Sequence, residues 1–458
     1  MRNVNRFTGD WLINHRKASN EAPLREDTST MAFCGLDFGT SNTTLGVYRN
    51  GAPTLAALED GKVTVPSAVF YNRDGVLSIG RAAMQHYVDG DDGRLMRSLK
   101  SVLGSHLIDE KTQIGKRAIG FRDVIADFVT TVKHRAEASG GSVLHQVVLG
   151  RPVFFVDDDV AANRKAEEAL RGIATKAGFK DVSTQFEPIA AALDYEQQVR
   201  SEEIALIADI GGGTSDFSIV RLSPERHTRI ERADDILAND GVRIGGTDFD
   251  RQLSLGTLMP LLGYRSPMKR AGRDVPSGYF HDLATWASIN RLYNSKTVRE
   301  LHEVRREASR PELVERLVHV IEEQRGHTLA MAAEEAKITL ADAPTAPVDL
   351  GWLEAGLSLA ISPEELVAHT HVLATRIAAR VDNCLSQAGL KVEDISALFL
   401  TGGSTRLAHV RSAIVAALPG ARIVDGDTFG SVGTGLAIEA ARRYGPLTGK
   451  QGGTVSAA

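Results

Sequence analysis

Asp209 closes an apolar run from Ile204, and Gly211, Gly212, Gly213 and Thr214 follow before Asp216 opens an alternating run through Phe217 and Ile219. That pattern predicts a strand, a tight turn and a returning strand. Glycine admits positive φ and lets a ligand approach the backbone closely. Successive free N–H groups in such a turn form a concavity for an anion. Carboxylates on both sides, Asp209 and Asp216, would repel a bare phosphate, so a divalent cation is expected between them. A second copy lies upstream, where Asp37-Phe38-Gly39-Thr40-Ser41 links the apolar runs Phe33–Leu36 and Thr44–Tyr48. Two such turns predict a duplicated lobe with a phosphate clamp between the halves; two unrelated hairpins are the alternative.

The elements that must position these turns follow from periodicity. Val65 to Tyr71 reads as a third strand, and Arg94 to Gly104 as a short basic helix or loop ending at its glycine. Phe121 to Ala138 places Phe121, Val124, Ile125, Phe128, Val129 and Val132 on one helical face, with charged residues opposite. Val143 to Leu149 reads as a buried strand, Asp159 to Gly178 as a helix stopped by glycine, and Glu187-Pro188 as the start of another helix. From Arg251 to Ala336 the pattern turns helical and charged, with stops at Gly263, Pro276 and Pro311. Leu398 to Arg406 is again a strand running into glycines, and Gly430 to Tyr444 is a glycine-opened helix. The alternation of strands and helices indicates mixed α/β lobes.

A chain of 458 residues exceeds one ordinary core. With 43% apolar and 24% charged residues it has the composition of a soluble globular protein. A net charge of −5 gives no reason to expect nucleic-acid or acidic-membrane partners. Two cysteines, Cys34 and Cys384, set up no disulfide framework. No apolar run reaches membrane-spanning length, so a cytoplasmic protein is expected. Residues 1 to 30 mix polar types without a signal-peptide core and are expected to be disordered; Met31 is an alternative start. The last dozen residues, rich in Gly, Thr and Ala, are expected to be loose.

From residue 33 to about 444 the motifs resemble the nucleotide-binding domain of the seventy-kilodalton heat-shock chaperones (DnaK type), within the actin, hexokinase and chaperone ATPase superfamily. Leu36 to Asn42 is similar to the first phosphate motif, and Val65-Pro66-Ser67 to the Thr-Pro-Ser strand after it. Lys100 before Ser-Val-Leu-Gly matches the family's lysine, and Glu187-Pro188 with its alanines matches the Glu-Pro-Thr-Ala-Ala-Ala motif. Asp209 to Asp216 resembles the second phosphate motif, and Ile244 to Asp250 the Leu-Gly-Gly-Glu-Asp-Phe-Asp segment. Gly402-Gly403-Ser404-Thr405-Arg406 matches the adenosine motif, and Asp427 falls where an aspartate opens the last helix. The resemblance is greatest to short, atypical YegD-type members.

Several residues depart from the family. Thr247 replaces a glutamate, Ile338 the adenine-stacking arginine and Ala341 a serine. The stretch before Glu334 is several dozen residues longer than in typical members, so an enlarged helical subdomain is expected over about 251–335. The chain ends where the family continues with a linker and peptide-binding domain, so no self-sufficient peptide-holding activity is expected.

The resemblance implies an α/β, actin-like ATPase of two ribonuclease H-like lobes around a nucleotide cleft. Lobe I is expected at 31–200 with 422–446, lobe II at 201–421, and a tail at 447–458. ATP or ADP with Mg²⁺ would be the cofactors. Gly39, Thr40, Ser41 and Gly211 to Thr214 would hold the phosphates, while Asp37 and Asp209 would hold the metal through water. Lys100 would orient the γ-phosphate and the attacking water, with Glu187, Thr214 and Asp216 as candidates to order that water. Gly402, Gly403, Ser404, Arg406 and Asp427 would frame the adenosine, with Glu334 and Lys337 opposite. The expected function is slow Mg²⁺-dependent ATP hydrolysis, in a monomer that engages a protein partner or co-chaperone on the helical insertion. A metabolite (sugar) kinase on the same scaffold and a nucleotide-sensing module with little hydrolysis are the alternatives.

Overall fold

The computed structural model describes residues 32–227, 229 and 232–445. The segments expected to be disordered or loose, 1–30 and 447–458, and the alternative start at Met31 lie outside the described residues.

Two five-strand paths carry the chain. The first sheet runs Asp181–Phe186, Leu144–Arg151, Ala32–Phe38, Asn42–Arg49, Ala52–Leu55, with Thr64–Pro66 added beside Asn42–Arg49. The second runs Arg422–Asp425, Ala397–Thr401, Glu203–Ile210, Ser215–Leu222, Ile236–Val242. In both, a central strand pairs antiparallel with the strand after it in sequence and parallel with a later one. The order and sense of the strands are therefore the same, which is the duplication expected from the two Asp-x-Gly turns.

The run through Asp209 is apolar throughout because both of its faces are covered. Leu206, Ala208 and Ile210 enter the core of the second lobe. Ala205 and Ile207 face a core between the sheets, built around the helices Glu187–Glu196 and Ser431–Tyr444. These two helices cross closely: a Cβ at Gly435 would lie 1.7 Å from the carbonyl oxygen of Ala190. Only glycine admits that approach.

Three sequence-based expectations change. Val65–Tyr71 is two strands, Thr64–Pro66 in the first sheet and Ala68–Asn72 in a separate three-stranded sheet. The break is Ser67, whose hydroxyl donates to the Gly39 carbonyl at 2.7 Å and whose amide donates to the Ser41 carbonyl at 2.9 Å. Arg94–Gly104 is half strand, Gly93–Arg97, and half helix, Leu99–Leu103, with Ser98 between them at φ 56°. Gly93 to Arg97 pair with Ala68–Asn72, a partner that local periodicity does not reveal. The chain also returns to the first lobe later than residue 422, since Arg422–Asp425 still pairs with Ala397–Thr401. This short, mostly exposed edge strand has little apolar signature.

The stretch 251–335 is helical as expected, through the helices Gly246–Thr257, Gly278–Leu283, Ser295–Glu307, Pro311–Glu322 and Gly326–Thr339. It folds onto the apolar core of the second lobe through Phe280, Trp286, Ile289, Leu301 and Leu317. No helix among the described residues is long and apolar enough to cross a membrane.

Candidate functional site

The two glycine turns face each other across one cleft. A Cβ at Gly212 would lie 2.3 Å from Ser41 Oγ, and one at Gly213 would lie 2.5 Å from Thr40 Oγ1. Side chains there would push the turns apart, so the glycines keep the cradle narrow. The first turn is pinned by Ser67. The second is tied from behind, since the amides of Gly246 and Thr247 donate to the carbonyls of Gly211 and Gly212 at 2.9 and 2.8 Å. The Thr247 and Ser404 hydroxyls donate to the same two carbonyls, Gly212 at 2.9 Å and Gly211 at 3.0 Å. Thr247, which departs from the family's glutamate, thus braces the turn. The amides of Gly212, Gly213 and Thr214 have no acceptor among the described residues. Such a row of free N–H groups suits an anion.

The floor of the cleft is charged. Asp37 and Asp209 stand one residue before the ends of the two central strands, Lys100 stands on the helix Leu99–Leu103, and Glu187 opens the helix Glu187–Glu196. Lys100 Nζ donates to Glu187 Oε1, and both residues are buried. Burial pushes the Lys100 ammonium down, but Glu187 and Asp37 outweigh it and hold the group charged. Burial, then repulsion from Glu187, raises the Asp37 carboxyl; burial, Glu187, Asp216 and Asp37 raise that of Asp209.

Three carboxylates therefore share one buried ammonium. The surplus negative charge of this donor set suits a cation. No cluster of three or more ligand residues with direct-coordination geometry occurs among the described residues. The free amides and the surplus carboxylates together suit an anion bound with a metal ion.

The cleft brings together Asp37, Gly39, Thr40, Ser41, Lys100, Glu187, Asp209, Gly211 to Thr214, Glu334, Lys337, Gly402, Gly403, Ser404 and Arg406. Two expected site residues are not among its lining. Asp216 sits behind the second turn, 1% exposed, with Oδ1 accepting the Val153 amide at 2.6 Å. Its carboxyl is raised by burial and by Glu187, against the lowering effect of hydrogen bonds from the Thr214 side chain and the Val153 amide. Asp427 lies in the loop before the last helix, where Oδ1 accepts the amides of Phe429 and Gly430 at 3.0 and 3.1 Å. Its Oδ1 atom shapes that loop.

Other residues escaped the sequence reading. Arg97 forks onto Glu334 at 2.5 and 3.1 Å and lies 4.4 Å from the Trp286 ring centre. Asp250 holds Lys337 at 2.7 Å. Phe429 and Leu407 line the cleft beside Ile338 and Ala341. Arg97 lies three residues before Lys100, but its partners come from the far lobe and nothing local points to them.

A model of the family described as Hsp70 protein matches residues 33–255 and 318–445. The unmatched interval lies within the stretch read as enlarged. The chain is similar to curated proteins named Chaperone protein HscA homolog. That of Aromatoleum aromaticum is 27% identical over 426 residues, covering 89% of this chain and 57% of the relative. That of Laribacter hongkongensis is 28% identical over 402 residues, covering 83% and 53%. That of Chromobacterium violaceum is 27% identical over 427 residues, covering 89% and 57%. The chain thus spans a little over half the length of these relatives.

Proposed function

The chain belongs to the Hsp70 protein family, and from that premise we propose that it binds ATP and ADP in the cleft and hydrolyses ATP slowly. The observation that carries this reading is the buried Lys100–Glu187 pair set on the same floor as Asp37 and Asp209, opposite a row of free turn amides.

Phosphoryl transfer to water needs positioning and charge neutralisation more than covalent chemistry. In this proposal Gly39, Thr40, Ser41 and the amides of Gly212 to Thr214 hold the β- and γ-phosphates. Lys100 orients the γ-phosphate and the attacking water, with Glu187 fixing the ammonium and the Thr214 hydroxyl helping to order that water. Asp37 and Asp209 would hold Mg²⁺, which would supply neutralisation of phosphate charge when bound. Asp216 acts as a positioning residue behind the turn, through the Thr214 side chain and the amide of Val153. Gly402, Gly403, Ser404 and Arg406 frame the nucleoside, with Lys337 and Glu334 on the other wall. The output is lobe closure, read by a protein partner on the helical insertion, in a cytoplasmic monomer with lobe I at 31–200 plus the last helix and lobe II between them.

The test is calorimetric binding of ADP with and without Mg²⁺, followed by single-turnover hydrolysis of ATP. Tighter binding with Mg²⁺ and slow, Mg²⁺-dependent release of phosphate are expected. Binding without hydrolysis would favour the nucleotide sensor, and phosphate transfer to a sugar in a substrate panel would favour the kinase.

A further inference from the structure

The cleft has a charged floor and an apolar mouth. Ile338 and Phe429 are 53% and 47% exposed, whereas Lys100, Glu187 and Asp209 are 6%, 5% and 7% exposed. A nucleotide whose phosphates lie on the glycine turns therefore carries its base toward the mouth. There it meets Ile338 and Ala341 on one wall, and Leu407 and Phe429 on the other elements.

The charged side chains around this mouth already have partners. Arg406 pairs with Asp342 at 2.5 Å. Lys337 bonds Asp250 at 2.7 Å and the Gly246 carbonyl at 3.1 Å, and Glu334 is held by the fork of Arg97. The Thr428 hydroxyl, also in the lining, has no partner among the described residues, and a hydroxyl either donates or accepts. The loop that presents Phe429 is fixed by the two amides donated to Asp427.

We propose that the base is held by apolar contact and stacking between Phe429 and Ile338, and that the site takes purine nucleotides as a class rather than adenine alone. This rests on reading the cleft as a nucleotide site. Adenine and guanine present similar ring faces and differ in the donors and acceptors on their edges. A site built to hydrogen-bond such groups rejects the wrong partner by about 10⁴-fold or more, whereas an apolar pocket discriminates by roughly 10²-fold at most. Stacking on an aromatic ring is indifferent to base identity because every base has a π-face. Asp427 is then a positioning residue, acting on the base through Phe429.

The experiment is calorimetry of the full chain with ADP and with GDP, both with Mg²⁺. The expected dissociation constants lie within about tenfold of each other, and a ratio below about thirtyfold agrees with the proposal. A preference for ADP above that ratio overturns it. Phe429→Ala should weaken both nucleotides by a similar factor, about tenfold, and Phe429→Tyr should restore both. Because Phe429 is nearly half exposed, its truncation opens no core cavity. Loss of ADP binding alone in Phe429→Ala would also overturn the proposal. If neither purine binds the unaltered chain, the nucleotide reading itself falls, and this inference with it.

Discussion

At the residue scale the cleft is organised by one buried ion pair. Lys100 and Glu187 are each 7% exposed along the side chain, so neither could stand alone there without a large desolvation penalty. Removing one partner of such a pair typically costs about 3–5 kcal/mol, while replacing the pair with apolar residues costs far less. Glu187→Ala leaves Lys100 the charges of Asp37 and Asp209 and relieves their repulsion from Glu187, so it is expected to lower stability by less than that, about 1–2 kcal/mol in urea unfolding. With the largest of its opposite charges gone and Asp37 and Asp216 remaining, the Lys100 ammonium should titrate lower than in the parent protein. A loss under about 1 kcal/mol would show that the pair is solvated in solution. Lys100, Glu187, Asp37 and Asp209 were legible because their residue types and motif neighbours are distinctive. Asp216 and Asp427 were legible as motif members but not as to direction. Whether a carboxylate meets a ligand or a backbone amide depends on Val153 and Phe429, which the motifs do not contain.

At the element scale, helix and strand periodicity predicted most of what was found, and failures fall where an element's partner is remote. The helix expected over Phe121–Ala138 spans Phe121–Gly140, since its apolar face is continuous. The break at Ser67 serves the first turn, and the strand Gly93–Arg97 exists because Ala68–Asn72 lies beside it. The helix Gly326–Thr339 offers a test of such packing. His327 on it is 1% exposed, ringed by Tyr87, Trp286 and Tyr293 at 5.4, 5.8 and 6.5 Å. Neither ring nitrogen has a partner among the described residues. Burial, with Arg97 and Arg94 nearby, lowers its pKa to about 3. An unfolded histidine takes its proton near pH 6.5, so the stability tied to the neutral form is intact above that pH and is lost as pH falls toward about 3. Between pH 7.5 and pH 5 this one group should remove about 2 kcal/mol. His327→Leu, similar in volume, should lose about 2 kcal/mol less than the parent over that interval in urea unfolding. Identical pH dependence in the two proteins would mean that the imidazole is hydrated in the folded state.

At the scale of the whole molecule, two lobes of the same strand order meet over a cleft that the helical stretch bridges from one side. Asn290 Nδ2 donates to the Leu95 carbonyl at 3.0 Å, and Tyr87 Oη donates to the Gln324 carbonyl at 3.2 Å and accepts the Thr328 amide at 3.1 Å. Arg97 joins both Glu334 and Trp286. Trp286 and Asn290 lie in the interval that the family model leaves unmatched. The duplication was legible in the two turns, but this bridge was not, because residues about 200 positions apart make it. Arg97→Ala should loosen the bridge and speed ADP release on the order of tenfold in stopped-flow displacement. An unchanged release rate would mean that the lobes open elsewhere.

The central claim is that the charged floor hydrolyses what the glycine turns bind, and Lys100→Ala separates the two. The direct measurement is single-turnover ATP hydrolysis by this variant beside the parent protein, with ADP affinity measured on the same samples. The account predicts ADP affinity within a few-fold of the parent and a hydrolysis rate lowered by about a hundredfold or more. An unchanged single-turnover rate in Lys100→Ala would contradict it.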